Sequence, residues 1–262
     1  MSLDATIARP EPDSAMRADA LTLTYVSPRS TTYAVREVSL QIGARDFAGI
    51  VGPSGSGKSS LLYLMSGLKT ATSGEVWFDD FHYSAATPTQ KLNFRRRAFG
   101  FIFQQPFLVP YLSVLENVLV PIENPAERDQ KRALELLEAL GIADLAPKFP
   151  NECSGGERVR ASMARGLVHR PKWLWVDEPT ASLDHTTGRM VMDVLKSQKL
   201  HGALVVVTHD LEILDDADTV FRMRDGVLLE TFAPCATARD EMGIQKPTST
   251  EAALGDAASG LL

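Results

Sequence analysis

The sequence lacks any long apolar run, and nothing in it approaches the about 18 consecutive residues a helix needs to cross a bilayer. A membrane role therefore has to come through a partner. Residues 1–20 carry Asp, Glu, Pro and Arg interruptions and no apolar block of the kind a secretion signal needs. Cysteine is scarce: the chain has only 2, Cys153 and Cys235, too few for a disulfide framework, which suits a reducing compartment. A cytosolic chain is expected. Positive charge is not in excess either. A net charge of -6 and a pI near 5.4 argue against a general nucleic-acid or anionic-membrane surface and leave only local patches such as Arg95-Arg96-Arg97. No nucleic-acid partner is expected.

What is present is ordinary for a globular chain of 262 residues: 44% hydrophobic and 23% charged, enough for one large α/β domain or a domain with a subdomain. Its most informative stretch is Gly52-Pro53-Ser54-Gly55-Ser56-Gly57-Lys58-Ser59, which fits G-x-x-x-x-G-K-[ST]. Glycines at those positions let backbone N–H groups turn inward around a phosphate chain without Cβ clashes. Lys58 supplies a point charge for the β- and γ-phosphates, and the Ser59 hydroxyl is suited to ligate Mg²⁺. The flanks agree with a phosphate loop. Residues 47–51 read as a buried strand, and residues 60–65, starting at Ser60, read as a helix whose positive end points at the phosphates.

Apolar/polar alternation predicts half-buried strands at 21–25 and 38–42, an antiparallel pair ahead of the phosphate loop. Residues 1–19 read as a loose polar leader. Residues 75–78 read as a strand, 87–97 as a helix capped by Thr87 with Pro88 at its first position, and 99–103 as an aromatic strand ended by Gln104-Gln105-Pro106. From about 106 to 170 no strand signal appears. Helices are expected at 113–120, at 126–140 with Ala133, Leu134, Leu136, Leu137 and Leu140 on one face, and at 154–170. This predicts a helical subdomain inserted into the α/β core. The strands at 173–176 and 203–207 are apolar throughout and separated by a helix at 185–198, the mark of a parallel sheet covered on both faces. A terminal hairpin is expected through Asp225-Gly226 and a disordered tail over 232–262.

Two further clusters carry chemistry. Asp177 and Glu178 follow the strand at 173–176, at the carboxyl end where open α/β sheets bind ligands. Asp177 suits the outer shell of a Mg²⁺, and Glu178 suits a base or an orienting group for an attacking water. Ser154-Gly155-Gly156-Glu157 opens a helix. On these residues alone a plain N-cap is the simpler reading; the other is a second anion site. Two phosphate sites for one nucleotide imply a head-to-tail dimer, with each ATP held between the loop of one chain and the Ser-Gly-Gly of the other.

With the phosphate loop, Gln104 after Gly100-Phe101-Ile102-Phe103, Cys153-Ser154-Gly155-Gly156-Glu157, Asp177-Glu178-Pro179-Thr180, Ser182-Leu183-Asp184 and Thr208-His209-Asp210 in that order, residues 20–231 resemble the nucleotide-binding subunit of an ABC transporter. The resemblance implies a P-loop NTPase core with a mostly parallel sheet, an N-terminal antiparallel β subdomain and an inserted helical subdomain. It implies an ATPase using ATP and Mg²⁺, peripheral on the inner membrane face through an integral-membrane permease. It also implies residue roles. Tyr25 would stack on adenine, with Tyr33 as the rival. Gln104 would touch Mg²⁺ or the water, with Gln105 as competitor. Asp184 would communicate across the dimer, and His209 would contact the γ-phosphate. Phe107, Leu108, Tyr111 and Leu112 read equally as a docking surface for the membrane partner or as subdomain core.

The chain departs from the family pattern at Cys153, where Leu is usual, at Ser60 for Thr, at Arg45-Asp46 for Gly-Glu, and at Gly166, where Ala is usual and Gly is expected to cost about 1 kcal/mol of helix stability. Residues 100–104, Leu115-Glu116-Asn117-Val118 and Arg222-Met223-Arg224-Asp225-Gly226 resemble most the lipoprotein-releasing, macrolide-exporter and cell-division subgroup. An exporter or lipoprotein-releasing motor is expected. The alternative is an ATPase that regulates a membrane-bound cell-wall or cell-division complex without moving a solute.

Overall fold

The computed structural model describes residues 15–27 and 30–234. The chain opens with β1 (Ala15–Ser27) and β2 (Ser30–Gly43), which pair antiparallel. The leader is thus shorter than the expected 1–19. Met16 and Ala18 alternate into the core while Arg17 and Asp19 pair outside, so a sequence that looks polar and irregular is a half-buried strand. Its remainder, residues 1–14, and the tail from 235 lie outside the described residues. β3 (Phe47–Val51) leads to α1 (Lys58–Met65), then β4 (Ser73–Phe78) and β5 (Phe81–His82). α2 (Pro88–Ala98) starts as expected, with Thr87 and Gln90 forming a capping box and Pro88 at the first position. β6 (Phe99–Ile102), α3 (Val114–Leu119), α4 (Glu127–Ala139) and α5 (Gly155–Leu167) follow. β7 (Trp173–Asp177), α6 (His185–Lys196), β8 (Ala203–Thr208) and the hairpin β9 (Thr219–Arg224) to β10 (Val227–Phe232) complete it.

Two sheets result. One is antiparallel in the order β2-β1-β4-β5; the other runs β10-β9-β3-β8-β7-β6, parallel except for its β10 edge. The period-2 geometry of a strand sorts the apolar residues of β7 and β8 to opposite faces. Leu174, Val176, Leu204 and Val206 join the cluster under α3, α4, α5 and α6, whereas Trp173, Trp175, Val205 and Val207 join the cluster that includes α1 and the antiparallel sheet. Both faces are covered, so β7 and β8 are apolar throughout.

α4 presents Ala133 and Leu137 inward, but Leu134 is exposed; it stands one residue, or about 100° of helix, from Ala133, outside the inward stripe. Gly166 corrects a second expectation. A Cβ there would lie 2.9 Å from Ile102 Cγ1 and 3.1 Å from the Phe101 carbonyl oxygen, and one on Gly100 would lie 2.2 Å from the Gly166 carbonyl oxygen. The two glycines let α5 press directly against β6. Overpacking costs about 1–3 kcal/mol, more than the about 1 kcal/mol of propensity that Ala adds. Gly166→Ala is therefore expected to lower the thermal midpoint, measured by calorimetry; a raised midpoint would refute the close-packing account.

Candidate functional site

Strand register gathers the site. Val51 of β3 pairs with Thr208 of β8, Val207 with Asp177 of β7, and Val176 with Ile102 of β6. Because these strands are parallel, the residues just past their ends emerge along one edge: Gly52, His209, Glu178 and, two residues past Ile102, Gln104. That edge is the carboxyl end of an open sheet, the usual ligand crevice of such folds.

The phosphate loop is cramped on its inner side. A Cβ on Gly52 would lie 2.2 Å from the Met223 carbonyl oxygen, and one on Gly57, which has φ 97°, 2.1 Å from the Ala34 carbonyl oxygen. A Cβ on Gly55 would meet nothing within 4 Å. Lys58 folds back over the loop, its Nζ donating to the carbonyls of Gly52 (2.9 Å) and Pro53 (3.1 Å). No side chain caps α1 and no acid occupies its first turn, so its leading N–H groups and its dipole are left for an anion. Ser56 Oγ is buried with no protein partner among the described residues. Backbone donors, an ammonium and a buried, unpaired hydroxyl fit a phosphate chain. Pro53 and Ser54 form the exposed lip of the loop, and Ser60 lies half-buried in the first turn of α1.

Asp177 is only 5% exposed and is held by α1: Ser59 Oγ donates to Oδ1 and Tyr63 Oη to Oδ2, both at 2.9 Å. Burial, then the hydrogen bond from Tyr63 to Asp177, push the Tyr63 phenol up to about 12. A hydroxyl beside a buried carboxylate is a donor set that fits a hard divalent cation such as Mg²⁺. Glu178 takes a left-handed φ of 51°, its N–H bonded to the Val207 carbonyl at 2.9 Å, and its Oε2 lies 2.9 Å from His209 Nδ1. A carboxylate only accepts, so Nδ1 carries the hydrogen of this bond and Nε2 is turned outward from it. Gln104 and Gln105 are both exposed.

Tyr25 and Tyr33 face opposite sides of the β1–β2 hairpin, since Tyr25 pairs with Thr32 and Tyr33 with Thr24. One base can stack on only one of them. Tyr25 carries the Lys69 ammonium 5.2 Å from its ring centre, and Tyr33 the Arg36 guanidinium at 4.5 Å.

The Ser154 cluster is a well-formed N-cap. Ser154 Oγ accepts from Glu157 N at 3.3 Å and Glu157 Oε2 accepts from Ser154 N at 2.7 Å, bonds that hold the Glu157 carboxyl below its usual range. No hydrogen bond joins this cluster to the phosphate loop among the described residues. Gly155 is open: a Cβ there would meet nothing within 4 Å. Cys153 is buried beside it, and burial pushes its thiol up. Asp184 caps α6, accepting from Thr187 N at 3.0 Å; the Thr187 hydroxyl and N–H pull its carboxyl down.

The loop after Gln104 divides the apolar residues that follow it. Phe107 and Tyr111 are 64% and 79% exposed, whereas Leu108 packs against the core and Leu112 is half-buried. Sequence reasoning missed what holds this loop. Arg165 of α5 donates to the carbonyls of Pro106 (2.7 Å) and Phe107 (2.8 Å). Buried Asn117 accepts from Val109 N and donates to the carbonyls of Val109, Leu112 and Ser113. Arg165 carries no sequence signal, because it reaches backbone groups 58 and 59 residues away, whereas Asn117 ties the loop within 4 to 8 residues of itself.

A phosphate loop, an acidic pair and a histidine on the carboxyl edge of a parallel sheet define a P-loop nucleotide-binding protein. The comparisons give the family. A family model described as ABC transporter matches residues 35–181, more than half of the chain. An uncharacterized ABC transporter ATP-binding protein of Methanocaldococcus jannaschii is 38% identical over 210 residues, 79% of this chain and 94% of that protein. The lipoprotein-releasing system ATP-binding protein LolD of Acinetobacter baylyi is 35% identical over 79% of this chain and 93% of its own. The dimeric ATP-binding cassette MJ0796, solved in a post-hydrolysis state with ADP and Pi, superposes with a TM-score of 0.79 at 33% identity, over 84% of this chain and 99% of that one. The chain belongs to the ABC transporter ATP-binding family, and the expected P-loop NTPase fold and ATPase class are those of this family.

Proposed function

We propose that the chain is the ATP-hydrolysing subunit of a membrane exporter or lipoprotein-releasing system. It binds Mg-ATP, closes head-to-tail on a second copy and pulls on an integral-membrane permease from the cytoplasmic face. The observation that carries this reading is the register of β3, β8, β7 and β6, which sets the phosphate loop, His209, Asp177-Glu178 and the Gln104 loop along one edge. The loop backbone, Lys58 and Ser56 bind the phosphates. Ser59 and Asp177, with Gln104, would hold the Mg²⁺, which would supply positive charge to neutralise the phosphates. Glu178 orients the attacking water, and His209, tethered to it, meets the γ-phosphate. Tyr25 stacks on the base.

The open surface at Gly155 supports the composite site: no atom of the described residues lies within 4 Å of a Cβ placed there, and bare backbone allows a second chain's phosphate to approach. Ser154, Gly156 and Glu157 then form the rest of that surface, and Asp184 lies in the neighbouring loop. Among the described residues no helix is long and apolar enough to cross a membrane, which fits a permease on a separate chain. Phe107 and Tyr111, exposed on a loop pinned by Arg165 and Asn117, are the apolar residues offered to it. The dimer of MJ0796 and the lipoprotein-releasing name of LolD support the assembly and the transport class. Affinity capture of the tagged chain from detergent-solubilised membranes is expected to bring down a multi-span protein; recovery of the chain without one would refute the transporter-subunit reading.

A further inference from the structure

Asp177 is gripped twice by the same helix. Ser59 and Tyr63 stand four residues apart on α1, on one face and one turn from each other. Each donates to a different oxygen of the Asp177 carboxylate, at 2.9 Å in both cases. A buried carboxylate is costly without such donors. One bond alone would leave the group free to pivot about it; two bonds to two oxygens fix its plane, and with it the direction of the lone pair left on each oxygen. Tyr63 is itself held, its ring edge-on to Phe103 with centroids 6.3 Å apart.

We propose that Tyr63 is a positioning residue for the metal site: its hydroxyl, with Ser59, sets the angle at which the Asp177 carboxylate meets the divalent cation or its water. The inference rests on the reading of Ser59 and Asp177 as the Mg²⁺ residues. Hydrogen-bonding partners that orient a metal-site carboxylate are worth about 10- to 100-fold in metal affinity. The Ser59 bond remains when Tyr63 is altered, so the lower end of that range applies.

The test is Tyr63→Phe, which removes one oxygen and keeps the ring on Phe103. ATP affinity is measured by calorimetry in EDTA and in Mg²⁺, and hydrolysis is followed across a Mg²⁺ titration. In EDTA the variant is expected to bind ATP as the wild type does. Its gain in affinity on adding Mg²⁺ is expected to shrink about tenfold, and the Mg²⁺ concentration for half-maximal hydrolysis to rise about tenfold, with kcat at saturating Mg²⁺ nearly kept. An unchanged Mg²⁺ dependence would overturn the inference, as would an equal loss of affinity in EDTA and in Mg²⁺, which marks a packing role. Tyr63→Leu, which removes the ring as well, is expected to show the same Mg²⁺ shift as Tyr63→Phe; a shift seen only with Leu assigns the effect to packing and overturns the inference. A wild-type protein whose ATP affinity does not respond to Mg²⁺ at all would overturn the Mg-ATP reading itself, so the two failures are distinct.

Discussion

Glu178→Gln is expected to bind ATP normally, to lose about 100- to 1,000-fold in turnover, and to accumulate as an ATP-bound dimer. Glu178 sits at the end of β7 in a left-handed conformation, its N–H tied to Val207 and its carboxylate to His209. A residue with a Cβ adopts that φ at some cost, so the surrounding bonds overdetermine it and aim the side chain. Glutamine has the same shape, and its amide oxygen still accepts from His209 Nδ1. It carries no charge to draw a proton from water, so binding and geometry survive while the chemical step fails. Phosphate release gives the rate, calorimetry the affinity, and size-exclusion chromatography in ATP the assembly. Because the reading places Ser154 of one chain over the nucleotide of the other, Ser154→Arg added to Glu178→Gln is expected to abolish the dimer and leave ATP on the monomer. A Glu178→Gln protein that turns over at the wild-type rate would sink the role of Glu178, and a dimer indifferent to Ser154→Arg would sink the composite site.

The sequence was most legible where local physics decides. Strands β7 and β8 are apolar on both faces and were readable as buried parallel strands; Thr87-Pro88 and the Gly-rich stretch before Lys58 announced their helix starts. The phosphate loop and Asp177-Glu178 were readable because motif and strand end coincide. It was least legible where a distant partner decides. Gly166 looks like a weak helix residue until α5 is seen lying on β6, and Ala15–Asp19 look like a leader until Met16 and Ala18 are seen in the core between the sheets. Ser154 and Asp184 resemble ligand contacts and also form N-caps, because an oxygen that accepts a helix N–H is chemically the same oxygen a nucleotide would meet. The grip of Tyr63 on Asp177 spans 114 residues and no local pattern signals it.

Lys58→Ala is expected to have the opposite signature to Glu178→Gln: no nucleotide held, hence no dimer and no turnover. Lys58 is 8% exposed, and its ammonium is satisfied by two carbonyls of its own loop. Those carbonyls are neutral, so the charge is poised rather than cancelled, and a phosphate chain laid along the loop supplies the anion it lacks. Truncating one partner of a buried, hydrogen-bonded charge pair costs about 2–5 kcal/mol, which at about 1.4 kcal/mol per decade is at least roughly 30-fold in affinity. Alanine leaves the backbone cradle and the start of α1 in place, since Gly52 and Gly57 set the loop's path and no cap is removed. The fold should therefore persist while the ligand's contribution to stability disappears: the rise in thermal midpoint that saturating ATP gives the wild type follows the ratio of free ligand to Kd, and in the variant it is expected to vanish at the same ATP concentration. Calorimetric affinity equal to wild type would remove Lys58 from the site. A variant that binds ATP weakly yet still dimerises in ATP would show that closure does not depend on nucleotide in the loop, and the coupling of binding to assembly proposed for this motor would fall with it.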